Sequence, residues 1–476
     1  MVVGLNSVRE LLEAAYSTLN FQEGELLPTD IPPTNLTLEQ WIEKGDWLSL
    51  GKQVGAEKIF FVNNNPIIVF AGVEETEDDE VLRRVFNKIW CMARPQYLFL
   101  AKQGELAVYD LTKPPSKTIE EWQNKESLAV ARTTAEVASK LYQYRREQIE
   151  SGRLFEDHRF GTDNQRADQS LIQDLKRVRF ALMDKGLRED KLKYAHSLIG
   201  RSIFIRYLED REILSQEYFD EIAQKNPQWQ ALLNTPEFLP LNLEPEAKQF
   251  YIRILGNKDF TYALFERLAN DFNGDMFPSD LKEKQAITAE HLKLLQSFLK
   301  GDFSSAKPLF FWAYKFQIIP ISLISSIYEE FYHEENEKLD DFGTHYTPSS
   351  LVEYLISKVL NPECLDTNPR VIDPCCGSGI FLVESFRRII RHHVYKNNGL
   401  RLNAEKMRKI LRNQIAGIEI NEEAIRITSF SLYLALIHYQ EAPDILKQIK
   451  NGKHLPNLIY QDGWIDDKQH FNNLLR

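Results

Sequence analysis

One stretch constrains the fold of this chain more than any other: VIDPCCGSGIFLVESF, from Val371 to Phe386. A short β-branched run ends at an acidic residue, a glycine turn follows, and a helical pattern begins directly after it. Glycines let a backbone adopt positive φ and approach a ligand closely, and the first turn of a helix presents free N–H groups at the same place. This order is typical of nucleotide sites in α/β proteins, although a lone Gly-x-Gly is equally compatible with a plain tight turn.

The next predicted strand, IAGIEI, strengthens the interpretation as a ligand site. It carries Glu419 near its end and precedes a long apolar helical pattern. An acidic side chain at this place can accept hydrogen bonds from both hydroxyls of a ribose, whereas the alternative is a helix-start residue favoured by the helix dipole. The third glycine position of a dinucleotide motif is occupied by Leu382. The spacing therefore favours an adenosine compound without a pyrophosphate.

Composition limits the class of protein. The chain has 476 residues and a net charge of −11. It has only four cysteines, which are too few for a disulfide framework in a chain of this length and favour a reducing compartment. Arg9, Glu10 and Glu13 interrupt the N-terminal stretch where a signal peptide needs apolar residues. No apolar run reaches the roughly 18 residues of a membrane span. We predict a soluble, cytoplasmic protein with no membrane partner, in which nucleic acid would bind only to a local basic groove.

Three regions with different patterns follow one another, so we predict an α/β fold of three domains. Residues 1–112 form an N-terminal α/β domain with strands KIFFV and PIIVFAGV and a hairpin turning at Gln103-Gly104. Residues 113–340 are mostly helical, with apolar residues at three- and four-residue spacing. Residues 341–476 alternate strand and helix, including a predicted strand NLIYQ, which predicts a parallel sheet.

Four segments, read together, resemble a known family. DPCCGSGIFL resembles the S-adenosylmethionine motif of the gamma-class amino-methyltransferases, which modify adenine N6 in DNA, and departs from it only at Cys375, where the family has alanine. FGTHYTPSSLVEYLISKVL resembles the motif before it, AGIEINEEAIRITSFSLYLAL the ribose-binding strand and helix, and LIYQDGW the third motif. More narrowly, the chain resembles the adenine methylases of type I and type IIG restriction–modification systems, in which a segment like LIGRSIFIRYLEDREIL precedes the core.

The resemblance implies S-adenosylmethionine as the cofactor and assigns residues to it. Glu419 would hold the ribose and Asp462 would lie near the adenine, although Asp462 is equally compatible with a turn residue. Tyr346, at a helix start, would contact the cofactor rather than serve as a core aromatic. The full set of cofactor residues is Tyr346, Thr347, Pro348, Asp373, Pro374, Cys376, Gly377, Gly379, Phe381, Glu419, Ile420 and Asp462.

Basic residues in the helical region are candidates for contacts with double-stranded DNA. The residues predicted to contact phosphate are Arg145, Arg146, Lys176, Arg177 and Arg179. Arg201, Arg206 and Arg211 have the acidic neighbours Glu209, Asp210 and Glu212 and are better interpreted as a solvated or salt-bridged face than as contacts with DNA phosphate. We predict no metal site, because the adjacent Cys375 and Cys376 cannot easily reach one tetrahedral zinc together. We predict no nuclease, because no Glu-x-Lys occurs on a strand before residue 112.

One motif that the family requires does not occur in the 476 residues. No Asn-Pro-Pro or Asp-Pro-Pro followed by an aromatic residue, the motif that holds the target amine, is present. We therefore assign no catalytic residue and predict an incomplete Rossmann-like sheet in which the strand RVID is an exposed edge. The sequence ends where the family's fourth strand is expected, which predicts a fragment, a truncated reading frame or one half of a split enzyme.

We interpret the chain as the S-adenosylmethionine-binding, N-terminal part of a site-specific DNA adenine-N6 methyltransferase of a restriction–modification system. A second polypeptide would carry the rest of the sheet and the target-recognition domain. The alternatives are a non-catalytic subunit that binds cofactor or DNA, a truncated and inactive methylase, and a methylase of RNA or protein.

Overall fold

The computed structural model of the chain describes residues 6–74, 78–156, 166–234, 249–272, 281–302, 309–321, 323, 347–419 and 422–452. The chain divides into two compact units. The first comprises Met1–Leu36, Glu43–Gln173 and Phe310–Ile319, and the second comprises Thr37–Ile42, Asp174–Leu309 and Pro320–Arg476. The second unit thus contains most of the predicted helical region and all of the predicted strand–helix region. The division at residues 112 and 340 stays a prediction.

A six-stranded sheet, with its strands in sequence order, forms the centre of the first unit. Neighbouring strands are antiparallel except β3 and β4, which are parallel. The strands are β1 (Glu25–Pro28), β2 (Ala56–Val62), β3 (Asn65–Val73), β4 (Tyr97–Lys102), β5 (Glu105–Asp110) and β6 (Ala129–Ala131). The helices are α1 (Val8–Thr18), α3 (Asp79–Trp90), α4 (Ile119–Gln123), α5 (Thr134–Lys140) and α6 (Arg146–Glu150). Two further helices, α2 (Leu38–Val54) and α7 (Ala167–Asp184), contain residues assigned to both units.

The hairpin predicted at Gln103-Gly104 is confirmed. Lys102 pairs with Glu105 across the turn, and Gly104 has a φ of 74°, which a residue without a Cβ adopts at little cost. The predicted strands KIFFV and PIIVFAGV lie within β2 and β3. Aromatic rings fill the core beside the sheet, where the ring of Phe70 lies 5.3 Å from that of Phe21 and 5.0 Å from that of Phe99. The α/β prediction for this region therefore holds.

The second unit is mostly helical and contains one pair of short parallel strands among the described residues. Its helices before the strands are α8 (Leu192–Asp210), α9 (Gln216–Ala223), α10 (Pro227–Leu233), α11 (Phe250–Ile254), α12 (Lys258–Asp271), α13 (Leu281–Ala286), α14 (Ala289–Leu299), α15 (Ser349–Val359) and α16 (Pro362–Asp366). The strands and the helices after them are β7 (Val371–Asp373), α17 (Ile380–Lys396), α18 (Ala404–Gln414), β8 (Ile415–Gly417), α19 (Glu422–His438) and α20 (Ala442–Lys450). The predicted strand NLIYQ lies outside the described residues.

Helix α8 contains the segment LIGRSIFIRYLED and is buried over most of its length. A helix with apolar residues on all sides must be surrounded by protein, so its arginines need partners. Arg201 donates to Glu283 at 2.7 Å, and Arg206 donates to Glu209 at 2.7 Å and to Asp210 at 3.0 Å. The salt-bridged alternative is confirmed for Arg206, which pairs with its predicted neighbours, whereas Arg201 forms a salt bridge with Glu283 and not with those neighbours. No helix in the described part of the chain is long and apolar enough to cross a membrane.

Candidate cofactor-binding site

The carboxyl ends of β7 and β8 lie side by side. The strands are parallel, with Asp373 opposite Gly417. The hydrogen bonds continue past the strand ends, because the N–H of Ile418 donates to the Asp373 carbonyl at 2.9 Å and the N–H of Cys376 donates to the Ile418 carbonyl at 3.0 Å. Open α/β sheets bind ligands at this edge. The two predicted motifs therefore meet at one place in the structure.

The glycine turn between β7 and α17 adopts a conformation that requires glycine at two positions. Gly377 and Gly379 have φ of 53° and 81°. A Cβ at Gly377 would meet no atom within 4 Å, whereas a Cβ at Gly379 would lie 2.5 Å from Cγ2 of Thr428. Gly377 therefore borders open space, and Gly379 allows α19 to pack closely on the turn. An open backbone hollow at the start of a helix is suited to a ligand that interacts with backbone groups.

Two carboxylates border the hollow and accept hydrogen bonds from it. Oδ1 of Asp373 accepts from the N–H of Cys375 at 3.1 Å, and Oε2 of Glu419 accepts from the N–H of Gly377 at 2.9 Å. Both side chains are partly exposed to solvent. The two oxygens of a carboxylate provide about four lone-pair sites, so such a side chain can accept several hydrogen bonds at once. This arrangement can accept hydrogen bonds from ligand hydroxyls and can favour a cationic group nearby.

The cysteines of the turn have different environments. Cys375 is exposed, whereas Cys376 is buried and burial raises the pKa of its thiol to about 12. A buried thiol with a raised pKa is unreactive and contributes mainly to packing. In the described part of the chain, no group of three or more His, Cys, Asp or Glu residues is arranged to hold a metal ion.

The remaining predicted cofactor residues differ in position and exposure, and some of them lie outside the described part of the chain. Thr347 and Pro348 immediately precede α15, with Pro348 exposed at its N-cap position. Pro374 is exposed, and Phe381 is half-buried in the first turn of α17. Three predicted residues lie outside the described part of the chain: Tyr346, Ile420 and Asp462.

The residues predicted to contact DNA already have partners within the protein. Arg145 lies 4.0 Å from the ring centroid of Tyr142, and Arg146 pairs with Glu23 at 3.2 Å and Glu150 at 3.1 Å.

Farther along the chain, Lys176 and Arg177 are half-buried, and Arg177 lies 3.5 Å from Asp174. Arg179 is 2% exposed and donates to Nε2 of His196 at 3.0 Å. This burial removes Arg179 from the set of phosphate contacts, because a side chain enclosed by the protein cannot reach DNA.

Thr428, on α19, was not selected by the sequence analysis. Its hydroxyl donates to the Gly377 carbonyl at 2.7 Å, and its side chain is 7% exposed. The available signal was weak: a hydroxyl residue within the apolar run RITSFSLYLAL, nine residues after Glu419.

A comparison with protein families supports the prediction made from the sequence. Residues 321–458 match the model of the N-6 DNA methylase family. The match includes both strands, the glycine turn and α19.

Three curated proteins are similar to the chain. A protein of Methanocaldococcus jannaschii named as a type II restriction enzyme and methyltransferase is 23% identical over 359 residues, which is 58% of this chain and 28% of that protein. A type II restriction enzyme and methyltransferase of Escherichia coli is 25% identical over 350 residues, which is 58% of this chain and 34% of that protein. An adenine-specific methyltransferase of Streptomyces coelicolor is 30% identical over 92 residues, which is 19% of this chain and 7% of that protein.

The chain thus spans about a third or less of the length of these relatives.

Among solved structures, a type IIL restriction–modification enzyme in complex with DNA is similar at 16% identity and a TM-score of 0.30, covering 62% of this chain and 38% of the other. That similarity is too low to bear on the fold. The family match and the curated relatives agree with the motifs in the sequence: residues 321–458 match the N-6 DNA methylase family, and the similar curated proteins are named as type II restriction enzymes and methyltransferases or as an adenine-specific methyltransferase.

Proposed function

We propose that this chain binds S-adenosylmethionine at the turn between β7 and α17 and contributes this site to a DNA adenine-N6 methyltransferase of a restriction–modification system. The observation that carries the proposal is the pair of carboxylates beside an open glycine hollow. Asp373 ends β7 and Glu419 follows the neighbouring parallel strand β8, and both side chains accept hydrogen bonds from the backbone of the turn. The strand and helix order fits the start of a Rossmann-like sheet.

In this proposal the Glu419 carboxylate accepts hydrogen bonds from the ribose hydroxyls. Oε2 of Glu419 also accepts a hydrogen bond from the N–H of Gly377, so the same carboxylate contacts both the ribose and the glycine turn. Asp373 and the hollow at Gly377 face the methionine part, and the negative carboxylates favour the positive sulfonium. The other residues that we propose for the cofactor are Tyr346, Thr347, Pro348, Pro374, Cys376, Gly379, Phe381, Ile420 and Asp462.

The substrate that we propose is adenine in double-stranded DNA, a base taken out of the stack before its exocyclic amine is methylated. The names of the relatives support this class of substrate. The residues kept as candidates for phosphate contacts are Arg145, Arg146, Lys176 and Arg177, and the first two would have to exchange carboxylate partners for phosphate.

We further propose that a second polypeptide, or another segment of the same enzyme, supplies the residues that hold the target amine. The 476 residues contain no Asn-Pro-Pro or Asp-Pro-Pro followed by an aromatic residue. Among the described residues β7 pairs only with β8, and Ile372 is 40% exposed. Helix α15 has an exposed apolar stripe, made of Leu351, Tyr354, Leu355 and Val359. The same sequence observation favours the second candidate function, a subunit that binds cofactor without catalysing transfer.

Calorimetric titration of the purified chain with S-adenosylmethionine tests the cofactor site. Glu419→Ala removes the proposed hydrogen-bond acceptor for the ribose, and Asp373→Ala removes the carboxylate at the end of β7. We expect each to weaken binding by tenfold or more, about 1.4 kcal/mol, because hydrogen bonds to charged groups contribute about 1.5–3 kcal/mol. Glu405→Ala, at an exposed residue of α18, is the matched control and should bind like the wild type. Unchanged binding in both site variants would overturn the proposal.

A further inference from the structure

Thr428 connects α19 to the glycine turn through both halves of its side chain. The hydroxyl donates to the Gly377 carbonyl at 2.7 Å, and the sulfur of Cys376 lies 4.0 Å from the same oxygen. The methyl group fills the space beside Gly379, where a Cβ would lie 2.5 Å from Cγ2 of Thr428. Serine would lack the methyl group and valine would lack the hydroxyl, so the side chain of threonine fits both requirements.

The backbone at Gly377 is thereby held from two directions. Its N–H donates to Glu419, which follows β8, and its carbonyl accepts from Thr428 on α19. These two hydrogen bonds fix the peptide groups on both sides of a residue with φ of 53°. A site that is ordered before its ligand arrives has less conformational entropy to lose on binding. The affinity of the site therefore depends on residues that hold the turn as well as on residues that touch the ligand.

We propose that Thr428 is a positioning residue for the cofactor: it holds the Gly377 peptide so that the hollow stays open, without contacting the ligand itself. This inference rests on the proposed function of the turn as an S-adenosylmethionine site. In this scheme Thr428 only positions the turn, whereas Glu419 both positions the turn and accepts hydrogen bonds from the ribose.

Two matched pairs of variants of the full chain isolate the hydroxyl. Wild type and Thr428→Val differ in the hydroxyl, and both have a methyl group beside Gly379. Thr428→Ser and Thr428→Ala also differ in the hydroxyl, and both lack that methyl group. The dissociation constant for S-adenosylmethionine is measured by calorimetry, and the unfolding midpoint is measured without cofactor. We expect removal of the hydroxyl to weaken binding about five- to tenfold in each pair, the size expected for one hydrogen bond.

Ile437→Val, two turns farther along α19 and fully buried, controls for general destabilisation of the helix. It should lower the unfolding midpoint and leave the dissociation constant unchanged. If Thr428→Val does not fold, the comparison of Thr428→Ser with Thr428→Ala measures the effect of the hydroxyl on binding. Equal dissociation constants within each folded pair would overturn the role of Thr428 while leaving the cofactor site intact. No binding by the wild type would overturn the proposed function itself.

Discussion

At the scale of single residues, the site shows which properties sequence patterns reveal. Gly377, Gly379 and Asp373 were predicted as cofactor residues because strand, acidic residue and glycine turn are adjacent in the chain. The structure shows positive φ at both glycines and a hydrogen bond from the turn to Asp373. Thr428 was missed because its contact with Gly377 joins residues 51 positions apart and depends on how α19 packs. Arg179 was selected for its charge, but its burial depends on the packing of α7, which charge alone does not indicate.

The two glycines of the turn should respond differently to the same substitution. Gly377→Ala meets open space, so its cost is the positive φ, about 1–2 kcal/mol, and its methyl group would enter the hollow. Gly379→Ala has the same backbone cost and also clashes with Thr428, adding about 1–3 kcal/mol. Urea unfolding and cofactor titration check both effects. Equal destabilisation by the two variants would contradict this account of the turn.

His196 should make stability depend on pH. Burial, with a smaller contribution from the Arg179 charge, lowers the pKa of His196 to about 4, and Nε2 accepts a hydrogen bond from Arg179 only when it is unprotonated. Between pH 6.5 and 4 the unfolded chain binds a proton that the folded chain does not. Stability is therefore full above about pH 6.5 and falls as the pH decreases through this window, by about 2 kcal/mol between pH 7.5 and pH 5.

His196→Gln keeps an acceptor for Arg179 and removes the titration. Urea unfolding at pH 7.5 and pH 5 should show a smaller loss of stability in this variant than in the wild type. The remaining loss is expected from His393, whose pKa is also lowered to about 4, mainly by burial. An identical loss in both proteins would show that His196 does not titrate as described.

At the scale of elements, α8 organises the second unit through buried ion pairs. Arg201 and Glu283 are both almost fully buried, and Tyr262 donates to the same carboxylate at 3.2 Å. The C-terminal end of α8 connects to α19, because Arg211, the residue directly after α8, donates to the Ile437 carbonyl at 2.7 Å. Periodicity predicted that α8 is a helix, but the identity of its partners required tertiary packing, since Glu283 lies 82 residues away.

Arg201→Met should destabilise the protein by about 3–5 kcal/mol, because it leaves the Glu283 carboxylate buried without its counter-charge. Adding Glu283→Leu should restore much of that loss, since an apolar pair of similar volume avoids the desolvation cost. Denaturant unfolding of the wild type, both single variants and the double variant measures the interaction. Additive effects of the two substitutions would contradict a coupled buried pair.

At the scale of the whole molecule, the sequence predicted the class of each region, whereas the division at residues 112 and 340 stays a prediction. Alternating strand and helix patterns correctly indicated the parallel pair β7 and β8, and the N-terminal α/β pattern correctly indicated the first sheet. The sheet extends past residue 112, to β6. Residues 310–319 are assigned to the first unit although they follow the helical region in sequence. Such long-range association does not produce a local pattern and so could not be predicted.

The proposed second component should associate with the second unit of the chain. Purification of this chain from its native cells, followed by mass spectrometry, should recover a polypeptide that contains an Asn-Pro-Pro or Asp-Pro-Pro motif followed by an aromatic residue. Tyr354→Lys and Val359→Lys place charges on the exposed apolar stripe of α15 and should reduce recovery, whereas the exposed Leu400→Lys should not. Transfer of methyl groups to DNA by the purified chain alone would contradict the need for this component.

The most direct test of the central claim is an experimental structure of the chain with S-adenosylhomocysteine, the product form of the cofactor. We predict that the ribose hydroxyls lie within hydrogen-bonding distance of the Glu419 carboxylate and that the amino-acid part lies over Gly377, on the side where a Cβ would meet no atom within 4 Å. A ligand bound elsewhere, or a Glu419 carboxylate directed away from a ligand in this hollow, would contradict the claim.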